Sequence, residues 1–280
     1  MNRRTFIKQS ALIFVLANTP VAIGSAMQRD SNRNGSRTHD SHIKDRLVKK
    51  RHFNQTYTAD IFLEKKYLPV LDLSIKRLKR IERLVGFGNF CLLNFDDAIN
   101  ISKSYSRIGR FTKQELDFFE TIFYFKGQQY GFMGEKPIKS ITERIIKKKV
   151  KKIPYTGNYL YQGKPIERYN RIKEAIGDQV VLTSGVRSVM KQFLLFLNKT
   201  KSSNGNLSMA SRSLAPPGYS FHGVGDFDVG QKGYGIHNFT ERFTQTDVYR
   251  KLVRLGYIKF RYDKDNDLGV RFEPWHIEVT

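Results

Sequence analysis

The chain has 280 residues and a formal charge of +23 at pH 7, with 40% hydrophobic and 13% aromatic residues. That apolar content can fill the core of one large domain or two small ones, which excludes a globally disordered chain. The single cysteine, Cys91, excludes an intramolecular disulfide and a cysteine-built zinc site, so any bound metal has to use His and carboxylate. The charge favours anionic surroundings such as nucleic acid, lipid headgroups or wall polymer, but a lysine-rich solvated surface accounts for it equally well.

In chain order, Arg3-Arg4-Thr5-Phe6-Ile7-Lys8 precedes an apolar run, Ala11 to Ala17, and the small residues Gly24-Ser25-Ala26. This is the layout of an export signal spanning 1–26, and the paired arginines are similar to the twin-arginine type that carries folded proteins out of the bacterial cytoplasm. An exported protein, periplasmic or held in the cell envelope, is the expectation. The apolar run is too short to cross a bilayer. Residues 27–54 are polar and basic and read as a disordered linker, with His39 and His42 solvated.

Residues 55–153 read as a helical region. Leu68, Leu71, Ile75, Leu78, Ile81 and Val85 recur at helical spacing, with Pro69 in the first turn and Gly86 as the stop. Thr112-Lys-Gln-Glu115 is a capping box that starts a second helix through Phe119 and Phe123. Residues 141–152 are a lysine-rich helix or strand. From 154 the texture turns to short strands and turns. A helix over Arg168–Ile176 is followed by a strand, Val180–Thr183, then by a helix through Met190, Phe193 and Leu197. Asp247 is placed to cap another helix. Ile258, Phe260 and Tyr262 alternate as a strand, and Val270 and Phe272 begin the last one. The fold class is α+β.

Three stretches carry chemistry. Ser220-Phe-His222-Gly-Val-Gly225-Asp226-Phe-Asp228 sets one imidazole beside two carboxylates. A His close to an Asp, with a second His far downstream, is a common way to build a transition-metal site, although a solvated turn is the plainer reading of this stretch alone. Asp226 and Asp228 share one face of an extended segment, so either or both can face His222. Glu273-Pro274-Trp275-His276 brings a carboxylate and an imidazole together only if the chain bends at Pro274, since in a regular strand they point to opposite faces. Arg187 lies at a strand-to-helix junction, where rigid scaffolds present functional side chains.

The order Ser184-Gly-x-Arg187-Ser188-x-x-x-Gln192, Ser220-x-His222 with a following Asp, and Glu273-x-Trp275-His276 resembles the D-alanyl-D-alanine carboxypeptidase family of the VanY type. These are zinc peptidases that cut bacterial cell-wall peptides. The resemblance implies a small antiparallel-sheet peptidase domain at 154–280. It also implies a zinc ion held by His222, an Asp and His276, with Glu273 as general base, Arg187 on the scissile carbonyl, and Ser220 and Gln192 holding substrate. The family's usual spacing would put its Asp at position 229, which is Val here. The ligand is assigned to Asp228, leaving Asp226 as a supporting group or the alternative ligand. The expectation is a monomeric, exported zinc peptidase that releases terminal D-alanine from peptidoglycan stem peptides. An anionic wall or membrane surface is a further partner, and nucleic acid is not one. Its rivals are a non-catalytic zinc- or wall-peptide-binding module of the same fold and, on charge alone, a nucleic-acid-binding protein.

Overall fold

The computed structural model describes residues 14–16 and 45–280. The export signal expected at 1–26 falls outside the described residues apart from strand β1, Phe14–Leu16. The last part of the expected linker is ordered: the chain is helical over 45–51 (α1), and Lys50 is buried. Strand β2, Ile61–Leu63, pairs antiparallel with β1.

Helix α2, Leu68–Val85, turns its apolar stripe inward, burying Leu71, Ile75, Leu78 and Ile81, and ends at Gly86, whose φ of 82° suits a residue without Cβ. Short α3, Phe87–Phe90, and α4, Phe95–Ser104, follow, the latter capped by Asn94. Helix α5, Lys113–Tyr124, starts in the expected capping box. Thr112 Oγ1 accepts from Glu115 N (3.1 Å), and Glu115 Oε2 accepts from Thr112 N (2.9 Å). Glu115 is fully buried and also takes Arg77 of α2 through two bonds of 2.8 and 2.9 Å, so one carboxylate both caps α5 and ties it to α2.

Strands β3, Val150–Lys152, and β4, Tyr159–Tyr161, form a hairpin. Then come α6 (Lys164–Ile176), β5 (Val180–Ser184), α7 (Val189–Ser202), α8 (Leu207–Ser211), β6 (Phe227–Gln231), α9 (Asp247–Arg254) and β7 (His276–Ile277). Strands β5, β6 and β7 make an antiparallel sheet in that order. Helix α9 is capped by Thr246, whose Oγ1 accepts from Tyr249 N (3.2 Å), and Asp247 sits in its first turn instead. Of the last strand, expected from 270 to 279, only β7 forms, and the strand expected at 258–262 is reduced to an antiparallel bridge between Phe260 and Ile277. Those segments lie side by side through Glu273 N to Tyr262 O (2.8 Å) and Glu278 N to Lys259 O (2.9 Å), but a turn at 273–276 interrupts the ladder.

The sheet covers one hydrophobic cluster, containing Val180, Leu182, Phe227, Val229, Trp275 and Ile277, closed by residues of α6 and α9. A second cluster joins α2, α4 and α5 to Phe193, Phe196 and Leu197 of α7. Phe193 meets Phe119 edge-on, with ring centres 4.8 Å apart. Residue 154 therefore marks a change of texture, while the packing runs across it. No helix among the described residues is long and apolar enough to cross a membrane.

Candidate active site

The sheet brings the chemistry together. Phe227 and Val229 of β6 point into the core, so Asp228 faces the other way. Its register partners are Ser184 on β5, at an irregularity in the ladder, and His276 on β7. A single 3₁₀ turn, Phe221–Gly223, presents His222. Its backbone oxygen accepts from Arg187 N (3.2 Å), and its Nδ1 donates to Gly185 O (2.9 Å), which leaves Nε2 facing Asp228. The bend anticipated at Pro274 is a turn closed by His276 N donating to Glu273 O (3.1 Å). It puts both side chains on one side, with Glu273 Oε2 3.8 Å from His276 Nδ1.

Asp228 Oδ1 lies 3.3 Å from His222 Nε2 and 3.2 Å from His276 Nδ1. It is buried and has no hydrogen-bond partner, because neither approach has the angle of a hydrogen bond. Ligand atoms of His222, Asp228 and His276 all lie within 4.8 Å of one another. An orphaned carboxylate oxygen between two imidazole nitrogens is costly without a cation, and the N,N,O donor set suits zinc. These residues fit a metal ion. Asp226 stands elsewhere. Its Oδ2 is 3.1 Å from His276 Nε2, it is paired with Arg261, and its Oδ1 accepts from Val279 N (2.9 Å) and Thr280 N (3.3 Å). It grips the far edge of His276, the kind of support that fixes ring orientation and tautomer in metal sites.

Burial, seconded by Arg187, lowers His222 to about 4, which keeps it neutral. Burial opposes ionisation of both Asp226 and Asp228, yet their His contacts, with Arg261 for Asp226, hold each well below the usual carboxylate range. His276 is also opposed by burial, but its hydrogen bond to Asp226 and the negative charges of Asp226 and Asp228 beside it raise it to about 9. Glu273 goes the other way: burial raises it to about 7, where a carboxylate can both take and return a proton.

Arg187 Nη2 reaches Ser184 Oγ (3.0 Å) and His222 Nε2 (3.2 Å) and stands 3.6 Å from Asp228 Oδ2. Arg187, Ser220, His222, Asp228, Glu273 and His276 all line one cleft of ≈ 610 Å³. Gln192 is not on its wall. Its Oε1 accepts from Arg187 Nη1 (3.2 Å) and its Nε2 donates to Ala215 O, so it braces Arg187. Tyr262, Arg271 and Lys199 are among the cleft residues of the C-terminal region that escaped sequence reasoning. Tyr262, read as a strand residue, lays its ring 4.8 Å from that of His276, and Arg271 stands 3.8 Å from Glu273. The position of Arg271, two residues before Glu273 in an extended stretch, was the available signal. Phe53, Asn54, Phe87 and Cys91 also line the cleft, and nothing local in the sequence marks them.

Residues 164–279 match the family model VanY, D-alanyl-D-alanine carboxypeptidase. No curated protein sequence matches the chain. Among solved structures, the chain is similar to the LdcB LD-carboxypeptidase, described with the molecular basis of peptidoglycan recognition, at 21% identity and a TM-score of 0.38 over 52% of this chain and 66% of that one. It is also similar to the D,D-dipeptidase VanXYg in complex with a D-Ala-D-Ala phosphinate analog, at 23% identity and a TM-score of 0.39 over 45% of this chain and 52% of that one. A mutant of the D,D-pentapeptidase VanY from a VanB-type resistance cassette, in complex with Zn(II), matches at 23% identity and a TM-score of 0.36 over 46% and 77%. The chain thus spans 66% and 52% of the length of the first two. The likeness in sequence is confined to the C-terminal part of the chain: residues 164–279 are similar to the VanY D-alanyl-D-alanine carboxypeptidase family.

Proposed function

We propose that this chain is a zinc-dependent peptidase that hydrolyses peptidoglycan stem peptides, releasing terminal D-alanine, and that it is exported to the cell envelope by the signal read at 1–26. One observation carries the reading. Within the family match, an unsatisfied Asp228 oxygen sits between His222 Nε2 and His276 Nδ1, and Glu273 stands 3.8 Å away from His276.

His222, Asp228 and His276 would hold the zinc. When bound, zinc supplies Lewis acidity toward a peptide carbonyl and makes water acidic near neutral pH. Glu273, buried and tuned to about 7, takes the proton of the attacking water and returns it to the departing amine. Arg187, aimed by Ser184 and Gln192, donates to the carbonyl oxygen as negative charge grows there. Ser220, buried in the cleft wall, offers a hydroxyl to the substrate backbone.

The test is Glu273→Gln in zinc-loaded protein, followed by mass spectrometry of defined muropeptides. Zinc content should equal that of the wild type, while D-alanine release falls by about 10²–10⁴-fold. Near-wild-type turnover would overturn the mechanism.

A further inference from the structure

The family match begins at residue 164, yet part of the cleft is built by residues far upstream. Phe53 and Asn54 line the same cavity as Glu273 and His276. A buried arginine holds them there. Arg212 Nε donates to Phe53 O (3.2 Å) and Nη2 to Gln55 O (2.8 Å), while the guanidinium is paired with Asp60 through contacts of 2.7 and 2.9 Å. The backbone oxygen of Arg212 accepts from Arg271 N (2.9 Å), so one residue fastens the 53–55 segment to the stretch that leads into Glu273. Lys50 adds a second fastening, donating to Lys264 O and Asn266 O at 2.6 Å each.

Two cations stand against this wall. Asn54 Oδ1 accepts from Lys199 Nζ (3.1 Å), and the guanidinium of Arg271 is 4.9 Å from the rings of both Phe53 and Trp275. Among the described residues Lys199 forms no ion pair, and its ammonium is disfavoured by burial and then by Arg271 and Arg212. Arg271 Nε is buried without a hydrogen-bond partner, and its ion pair with Glu273 is long, at 3.8 Å. The other basic groups of the cleft are engaged: Lys191 with Glu82 (2.7 Å) and Arg187 beside Asp228. Arg271 Nη2 donates to Phe239 O (3.2 Å), which leaves its Nε for a further acceptor, and Lys199 lines the same cleft. The ring contacts fix the plane of Arg271 and Asn54 tethers Lys199, so an incoming carboxylate would meet donors already in place.

We propose that the 53–55 segment and α7 complete a subsite where Lys199 and Arg271 bind a carboxylate of the substrate peptide, separate from the carbonyl that Arg187 addresses. This rests on the peptidase reading and narrows its substrate class to peptides bearing an additional acidic group.

The test uses zinc-loaded protein and paired synthetic peptides ending in D-Ala-D-Ala, with Glu or Gln placed in turn at each position upstream. At one position the Glu peptide should show a kcat/KM about tenfold above its Gln twin, carried by KM. Lys199→Met should bring that ratio to about one, and Lys199→Arg should restore it. Equal rates for all twins in the wild type, or a ratio unchanged by Lys199→Met in folded protein, would overturn the proposal. Calorimetric titration of the same pairs into Glu273→Gln protein separates the two readings. Lys199-dependent preference for the acidic peptide without any wild-type hydrolysis would sustain the subsite and remove the peptidase reading. No preference in binding or in turnover would remove the subsite alone.

Discussion

Asp226 and Asp228 are the same side chain two residues apart, and the imidazole of His276 separates their roles. Asp228 meets its Nδ1 edge, where His222 and Glu273 also converge; Asp226 meets its Nε2 edge, where Arg261 and two backbone N–H groups already fill the carboxylate. Asp228→Asn removes the charge that a cation between the imidazoles would need and should abolish zinc binding, measured by metal analysis after dialysis. Asp226→Asn should weaken zinc affinity by about 10–100-fold, because it loosens the orientation of His276 without removing a ligand. Equal losses in the two variants would contradict the division of labour. The alternation along β6 put both acids on one face and left the choice open. The register that pairs Asp228 with His276, and the turn that swings Glu273 beside it, depend on contacts across the sheet and could not be read from spacing.

At the scale of elements, local signals were reliable where the element stabilises itself. The stripe of α2, the Thr112–Glu115 box and the run of β5 were all visible in sequence because each depends on neighbours within a few residues. The segments at 258–262 and 270–273 looked like strands by alternation, but they pair irregularly around a turn that a linear pattern does not reveal. The polar 50–54 stretch read as linker because its anchor, the Arg212–Asp60 pair, joins residues 152 positions apart. That pair invites a stability test. Asp60→Asn leaves the Arg212 charge buried and should cost about 3–5 kcal/mol in urea denaturation at pH 7. Burial would raise the Asp60 pKa, but bonds from Arg212 and Asn206 hold it below the usual carboxylate range. A depressed folded-state pKa contributes stability above the unfolded value and loses it as pH falls, so the gap between wild type and variant should close below about pH 4. A gap that persists unchanged at pH 2.5–3 would refute the assignment.

For the whole molecule, the cleft gathers His222, Asp228, Glu273 and His276, with Asp226 buried behind His276. Packing several titratable groups together is a standing cost that a bound cation offsets, so zinc should act as a folding ligand. With free zinc at 100 times its Kd, stability should rise by about 2.7 kcal/mol, read as a higher Tm than in chelator. An identical Tm under both conditions would count against a metal at this site.

Helix α7 carries Phe193, Phe196 and Leu197 into the core shared with the N-terminal helices, while Lys191, Leu195 and Lys199 of the same helix line the cleft. The two sets interleave along a single spiral, so phase binds them. Inserting or deleting one residue early in α7 would rotate everything beyond it by about 100°, moving core residues toward the cleft and cleft residues toward the core together. Changes of chain length therefore have no neutral place in this helix, whereas the exposed tip of the β3–β4 hairpin, around Tyr155, can absorb them at little cost. The same geometry leaves single substitutions at Lys191, Leu195 or Lys199 free to reshape what enters the cleft while the core face stays as it is.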